Sequence, residues 1–282
     1  MWINAFTLLE SCLMVLLGYV FVIISWVKII VDLLKRLFGL KKRFIPSNVV
    51  ITGASSGLGA TMAQLYAFPG TNMLLIGRNQ ERLESVAQLC RERGAAAVKL
   101  ATCDVRDRER MRQILVEYDN EEHVDLLIAN AGVNSETVRE ELLASSASKP
   151  AAEILEEDIT FGVLNSNING TLNTVNPLVP KMKERNHGHI AILSSLASHL
   201  PDGGAYSASK AALNILARSL QTKLSPVGVV VTLIEPYFVP SHMTNLLNVK
   251  LPPFTVPADQ AARIIVDGIS HSQALVTFPL LA

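Results

Sequence analysis

The turn Thr52-Gly53-Ala54-Ser55-Ser56-Gly57-Leu58-Gly59 constrains this chain more than any other segment. The apolar run Val49-Val50-Ile51 enters it, and the amphipathic stretch Leu58–Ala67 leaves it. A strand that passes through glycines into a helix N-terminus brings open backbone N–H groups and the positive end of a helix dipole to one point. Glycines let that backbone approach a phosphate closely. The pattern predicts a pyrophosphate-binding turn at the start of a βαβ unit.

Downstream, short apolar runs alternate with helical periodicity. The runs Asn48–Thr52, Asn72–Ile76, Ala97–Ala101, Val124–Ala129, His189–Leu193, Val229–Ile234 and Ala274–Phe278 are mostly continuous in Val, Ile and Leu. Such runs predict strands buried on both faces, as in a parallel sheet covered by helices. Amphipathic stretches at Gln80–Arg93, Arg106–Tyr118, Glu153–Arg185, Ala205–Leu224 and Ala258–Ile269 fill the gaps. The fold expected is α/β, a Rossmann-type doubly wound parallel sheet of about seven strands. The connection from Val133 to Asp158 is long and polar, suiting a lid, a partner contact or an insertion. Within it, Ser145–Pro150 is the most loop-like tract, and Pro150 suits a helix start.

The 282 residues are 49% hydrophobic with zero formal net charge, which gives no footprint for nucleic acid. Cys12, Cys90 and Cys103 are too few and too widely spaced for a disulfide framework or a zinc site, and no metal is expected. Much of the hydrophobicity lies at the N-terminus. Ser11–Val27 carries no charge, and the apolar run resumes after Lys28. A span needs about 20 mostly apolar residues. Residues 1–40 are therefore expected to be a membrane anchor with a basic juxtamembrane segment, either spanning or lying in the interface, and 47–282 the folded domain. Lys28, Lys35, Arg36, Lys41, Lys42 and Arg43 follow the apolar core, so the domain should face the cytosol. The endoplasmic reticulum is the membrane expected, and a homodimer is an assembly the reading allows.

Tyr206 and Lys210 stand one helical turn apart in Tyr206-Ser207-Ala208-Ser209-Lys210. A cation beside a phenol favours the phenolate and tunes it for proton exchange with an alcohol or carbonyl oxygen. With that pair in place, five motifs fall in order: Thr52-Gly53-x3-Gly57-x-Gly59, Cys103-Asp104-Val105, Asn130-Ala131-Gly132, Ser194-Ser195 and Tyr206-x3-Lys210. On these the chain resembles the short-chain dehydrogenase/reductase family over roughly residues 47 to 270.

The resemblance implies an NADP-dependent oxidoreductase that moves hydride between cofactor and a carbonyl carbon. Tyr206 would be the acid/base and Lys210 the cation that lowers its pKa and holds the nicotinamide ribose. The family pattern selects Ser195, with Ser194 as the fallback, to hold the substrate oxygen. Of Asn165, Asn167 and Asn169 it selects Asn167 to order a proton-relay water. Three asparagines in five residues also hint at a local kink, because asparagine is a poor helix former. Thr52, Gly53, Ser55, Ser56, Gly57, Leu58 and Gly59 would bind the pyrophosphate. Asp104 and Val105 would lie by the adenine, and Asn130, Ala131 and Gly132 would line the cleft. Pro236, Val239 and Ser241 would border the nicotinamide. Tyr237 stands where the family has glycine, which should narrow the pocket there.

The second strand ends Gly77-Arg78 without the acidic residue that binds an NAD ribose. A guanidinium there suits a 2′-phosphate, so the cofactor expected is NADP(H). The apolar side chains between His242 and Phe254, together with the anchor, point to a lipid-like ketone: a keto-sphingoid base, ketosteroid, retinal or ketoacyl thioester. The last strand falls close to Ala282, which would leave the pocket open on that side or mark a fragment. The competing class is a catalytically silent NADP-binding scaffold or sensor. The presence of both Tyr206 and Lys210 argues against it.

Overall fold

The computed structural model describes residues 43–145, 155–246 and 252–279, with scattered helical positions between 18 and 31. Contacts divide the chain into Met1–Arg43 and Phe44–Ala282. Most of the expected anchor lies outside the described residues. Among the described residues no helix is long and apolar enough to cross a membrane.

Seven strands form one parallel sheet: β1 (Asn48–Thr52), β2 (Asn72–Gly77), β3 (Ala97–Thr102), β4 (Leu126–Ala129), β5 (Gly188–Leu193), β6 (Val229–Pro236) and β7 (Leu275–Phe278). Their order is β3-β2-β1-β4-β5-β6-β7. The winding direction reverses between β1 and β4, where Val49 pairs with Leu126 and Ile51 with Ile128. A reversal of this kind opens a crevice at the carboxyl ends of the two strands. The strands follow the apolar runs within about two residues because buried parallel strands leave an unmistakable continuous signature. β3, at an edge, is partly exposed and carries Lys99, a charge that discourages further pairing.

Helices α1 (Gly57–Tyr66), α2 (Gln80–Glu92) and α9 (Ala258–Ser270) cover one face over a core that includes Val49, Ile51, Met62, Leu75 and Ile265. In α9 the residues Ala261, Ala262, Ile265, Gly268 and Ile269 form the buried stripe. The opposite core gathers Val50, Ile76, Met111, Leu127, Ile190, Leu213 and Leu233 beneath α3 (Arg108–Glu122) and α8 (Gly204–Leu224).

Two segments depart from the sequence expectation. The polar connection contains a helix, α4 (Ser135–Ser145). Asn134 Oδ1 accepts from the Thr137 N–H at 2.9 Å, an N-cap contact that starts it. Val138 packs in a small cluster with Val133, Ile159 and Val163. Of the loop-like tract Ser145–Pro150, Ser145 ends α4, and 146–150, with Pro150, lie outside the described residues. The stretch Glu153–Arg185 is not one helix: it breaks into α5 (Glu156–Leu164), a π-helical turn at Asn165–Asn169, α6 (Gly170–Val175) and α7 (Val179–Glu184). Pro177 and Pro180 have no N–H to continue a helix, which separates α6 from α7. The asparagine cluster marks the π turn, a form that often accompanies functional sites.

Candidate active site

The glycine turn sits at the winding reversal. Thr52 Oγ1 accepts from the N–H groups of Asn130 and Ala131 at 3.2 and 3.3 Å, and Asn130 Nδ2 donates to the carbonyls of Thr52 and Gly53 at 2.9 and 3.2 Å. These contacts fasten the end of β1 to the end of β4. Gly53 has φ +65°, and a Cβ there would meet Asn130 Nδ2 at 2.8 Å. A Cβ on Gly59 would stand 2.2 Å from the Gly53 carbonyl oxygen. Any side chain at either position would break the turn. Ser56 is extended at the N-cap of α1 and its side chain caps nothing, while Ser55, Gly57 and Leu58 are half-exposed. The opening backbone donors of α1 therefore face outward, a fit for the pyrophosphate of a dinucleotide.

At the end of β2, Arg78 belongs to a charged cluster. Arg106 Nη2 lies 2.6 Å from Asp104 Oδ2, and its Nε donates to both Asp104 oxygens at 3.0 Å. Arg78 Nη1 stands 4.0 Å from Asp104 Oδ2 and pairs with Glu141 of α4, whose Oε2 is 3.5 Å from Arg106 Nη2. Burial alone would raise the Asp104 carboxyl, but hydrogen bonds and charge from Arg106, with the charge of Arg78, hold it below its ordinary value. Val105 lies alongside, its carbonyl accepting from Asn173 Nδ2 at 2.9 Å. Neither Arg106 nor Glu141 is singled out by the sequence pattern. Arg106 follows the Asp104-Val105 motif directly, and the unrecognised α4 carries Glu141.

Beyond the glycine turn, α8 presents Tyr206 and Lys210. Tyr206 packs on the cluster of Val133, Val138, Ile159 and Val163. Desolvation raises its pKa, and a hydrogen bond with Ser195 counters it in part. Lys210 is 3% exposed; its Nζ donates to the Leu193 carbonyl at 2.9 Å and lies 5.7 Å from the Tyr206 ring centre. Burial lowers its pKa to about 8. Desolvation is the larger of the two influences on the phenol.

Ser194 Oγ donates to the Lys210 carbonyl at 2.9 Å, which occupies it in fixing α8 to β5. Asn167 is fully buried in the π turn. Its Oδ1 accepts from the Val133 N–H at 2.8 Å, while Nδ2 donates to the Val133 carbonyl and Ser209 Oγ, both at 2.9 Å. A Cβ on Gly132 would lie 3.1 Å from Asn167 Oδ1 and 3.3 Å from Lys210 Nζ, so the two side chains converge on that backbone. The structure thus brings Ser195, Asn167, Tyr206, Lys210 and Gly132 together.

The end of β6 closes this group. Ser195 Oγ is 3.4 Å from the Pro236 carbonyl oxygen, and Tyr237 meets Phe238 edge-on at 5.1 Å. Val239 packs in the core with Val256. Ser241 accepts from and donates within its own turn: its N–H reaches Thr244 Oγ1 at 2.8 Å. Glu235 carries no motif that marks it in the sequence. Its buried carboxylate accepts from Asn214 Nδ2 at 2.6 Å and bonds His199 Nε2 at 2.8 Å, tying β6 to α8 and to the turn after Ser195. His189 lies in the sheet, 2.8 Å from Thr232 Oγ1, and burial lowers its pKa to about 4.

The family model for short chain dehydrogenases matches residues 47–251. An uncharacterized oxidoreductase from Myxococcus xanthus is 33% identical over 236 residues, which is 82% of this chain and 86% of that protein. The 11-beta-hydroxysteroid dehydrogenase 1A of Arabidopsis thaliana is 32% identical over 254 residues, 82% of this chain and 68% of that protein. The structure of a short-chain dehydrogenase from Sphingobium yanoikuyae in complex with NADPH has a TM-score of 0.71 at 23% identity, over 83% of this chain and 89% of that one; the likeness is one of fold. Because the family match runs unbroken from β1 through β6, the chain belongs to the short-chain dehydrogenase/reductase family and is an NAD(P)-dependent oxidoreductase of alcohols and ketones.

Proposed function

We propose that this protein is a membrane-anchored, NADPH-dependent reductase of an apolar, lipid-like ketone, with its catalytic domain in the cytosol at the endoplasmic reticulum. The observation that carries the catalytic part is the convergence of the Tyr206 hydroxyl, Ser195 and Lys210 beside Gly132. NADPH would supply hydride to the carbonyl carbon when bound. Thr52–Gly59 would hold its pyrophosphate, Arg78 its 2′-phosphate and Lys210 its nicotinamide ribose. Ser195 and Tyr206 would hold the substrate oxygen between two hydroxyl donors. Tyr206 gives up its phenolic proton as negative charge develops on that oxygen, and charged Lys210 stabilises the phenolate left behind. Asn167 spends both Nδ2 protons and one Oδ1 lone pair on its neighbours. The second lone pair of Oδ1 is available to order a proton relay toward Lys210.

Two observations support the lipid and membrane parts. The described positions between 18 and 31 are helical, and Tyr19, Val20, Val22, Ile23, Trp26, Val27, Ile30 and Val31 are exposed there. An apolar surface of this kind calls for a partner or a bilayer. Among the relatives, the Arabidopsis protein is named for a hydroxysteroid. Purified protein should oxidise NADPH faster with membrane-soluble ketones than with short water-soluble ones. Equal kcat/KM across both groups would remove the lipid assignment. A variant beginning at Lys41 should leave the membrane pellet for the soluble fraction; its persistence in carbonate-washed membranes would show that another surface holds the protein.

A further inference from the structure

Glu141 stands where the proposed chemistry has no use for a carboxylate. It reaches from α4 to both guanidiniums beside β2 and β3, pairing with Arg78 and lying 3.5 Å from Arg106. Asp104 meets the same two cations, at 4.0 Å from Arg78 and 2.6 Å from Arg106. Two arginines therefore face two carboxylates, and the formal charge of the cluster is zero. A phosphate monoester brings a charge of about −1.5 to −2 and three acceptor oxygens. It gains most from these guanidiniums if one carboxylate leaves. Asp104 is held locally, since it also accepts from the Arg106 backbone N–H at 2.9 Å. Glu141 arrives from a separate element and has no such tether among the contacts described, so it is the carboxylate free to go.

We propose that Glu141 is a displaceable stand-in for the 2′-phosphate of NADPH: it holds Arg78 and Arg106 in the cofactor-free protein and gives both up to the phosphate. Arg106 thereby becomes the second phosphate ligand, and Glu141 a specificity-determining residue that NADH, lacking the phosphate, has no charge to displace. This inference rests on the reading of Arg78 as the phosphate-binding residue.

The test is a direct binding titration of NADPH and NADH, followed by nucleotide fluorescence, on the full chain. Glu141→Gln keeps the side chain's length and removes its charge. It should tighten NADPH by about twofold to fivefold, the effect of losing a half-exposed competing ion pair, and leave NADH unchanged. Glu140→Gln, on the exposed neighbouring position of the same helix, should change neither. Unchanged or weaker NADPH binding by Glu141→Gln overturns the proposal, as does equal tightening by Glu140→Gln, which would mark a general charge effect. Arg78→Ala reports separately on the underlying reading. If it weakens NADPH and NADH alike, the phosphate assignment itself fails. If it weakens NADPH selectively while Glu141→Gln changes nothing, only the displacement fails.

Discussion

Tyr206→Phe should lower ketone reduction by about a thousandfold, the scale of losing a positioned general acid. The change removes one oxygen and leaves the ring on its bed of Val133, Val138, Ile159 and Val163, so the fold and the affinity for NADPH should be unaffected. Steady-state NADPH consumption, read beside a cofactor titration, separates the two. Turnover equal to wild type would end the proposed role. The same site has a pH signature. Burial raises the Tyr206 pKa, so the phenol stays protonated and ready to donate through the neutral range. Burial lowers the Lys210 pKa to about 8; below that pH the amine is charged, and above it the charge is lost. A neutral Lys210 no longer stabilises the phenolate formed on proton transfer. Reductive kcat/KM, which reports the free enzyme, should therefore decline on the alkaline side of about pH 8. A flat profile from pH 7 to about 9.5 would separate Lys210 from the reaction.

Asn167→Leu should cost about 3 to 5 kcal/mol of stability. Asn167 is fully buried, and its amide satisfies both the N–H and the carbonyl of Val133 as well as Ser209 Oγ. Leucine nearly matches its volume but offers no partner, and each orphaned buried polar group costs about 1 to 3 kcal/mol. For a domain whose whole stability is about 5 to 15 kcal/mol this is a large fraction, equivalent to a fall of about 10 °C in Tm. Thermal unfolding measures it. A shift of less than about 2 °C would show that Val133 finds other partners and that the π turn does not depend on this side chain.

Both residues were visible in the sequence for reasons that differ. Tyr206 and Lys210 carry a local spacing, so one helix suffices to bring them together. Asn167 stood out by pattern among three asparagines, but its bonds run to Val133 and Ser209, thirty-four and forty-two residues away. The choice between Ser194 and Ser195 likewise turned on direction. Adjacent residues on an extended segment point opposite ways, and here one meets the Lys210 carbonyl while the other meets Tyr206. The helix α4 was hidden because its apolar positions are few. It packs through Val138 and Leu142 and is otherwise mostly polar, so its composition resembled a loop.

The sequence by itself determined the parallel sheet, the glycine turn and the strand ends that flank the crevice. Each rests on local rules: continuous apolar runs for buried strands, and glycines between a strand and a helix for the turn. Only the tertiary structure decided the electrostatics. It set Glu141 and Arg106 beside Arg78, buried Glu235 against Asn214 and His199, and turned Lys210 toward the Leu193 carbonyl. Charge and desolvation act through space between segments far apart in the chain. No local period records which carboxylate will face which guanidinium, or how much water is left beside an amine.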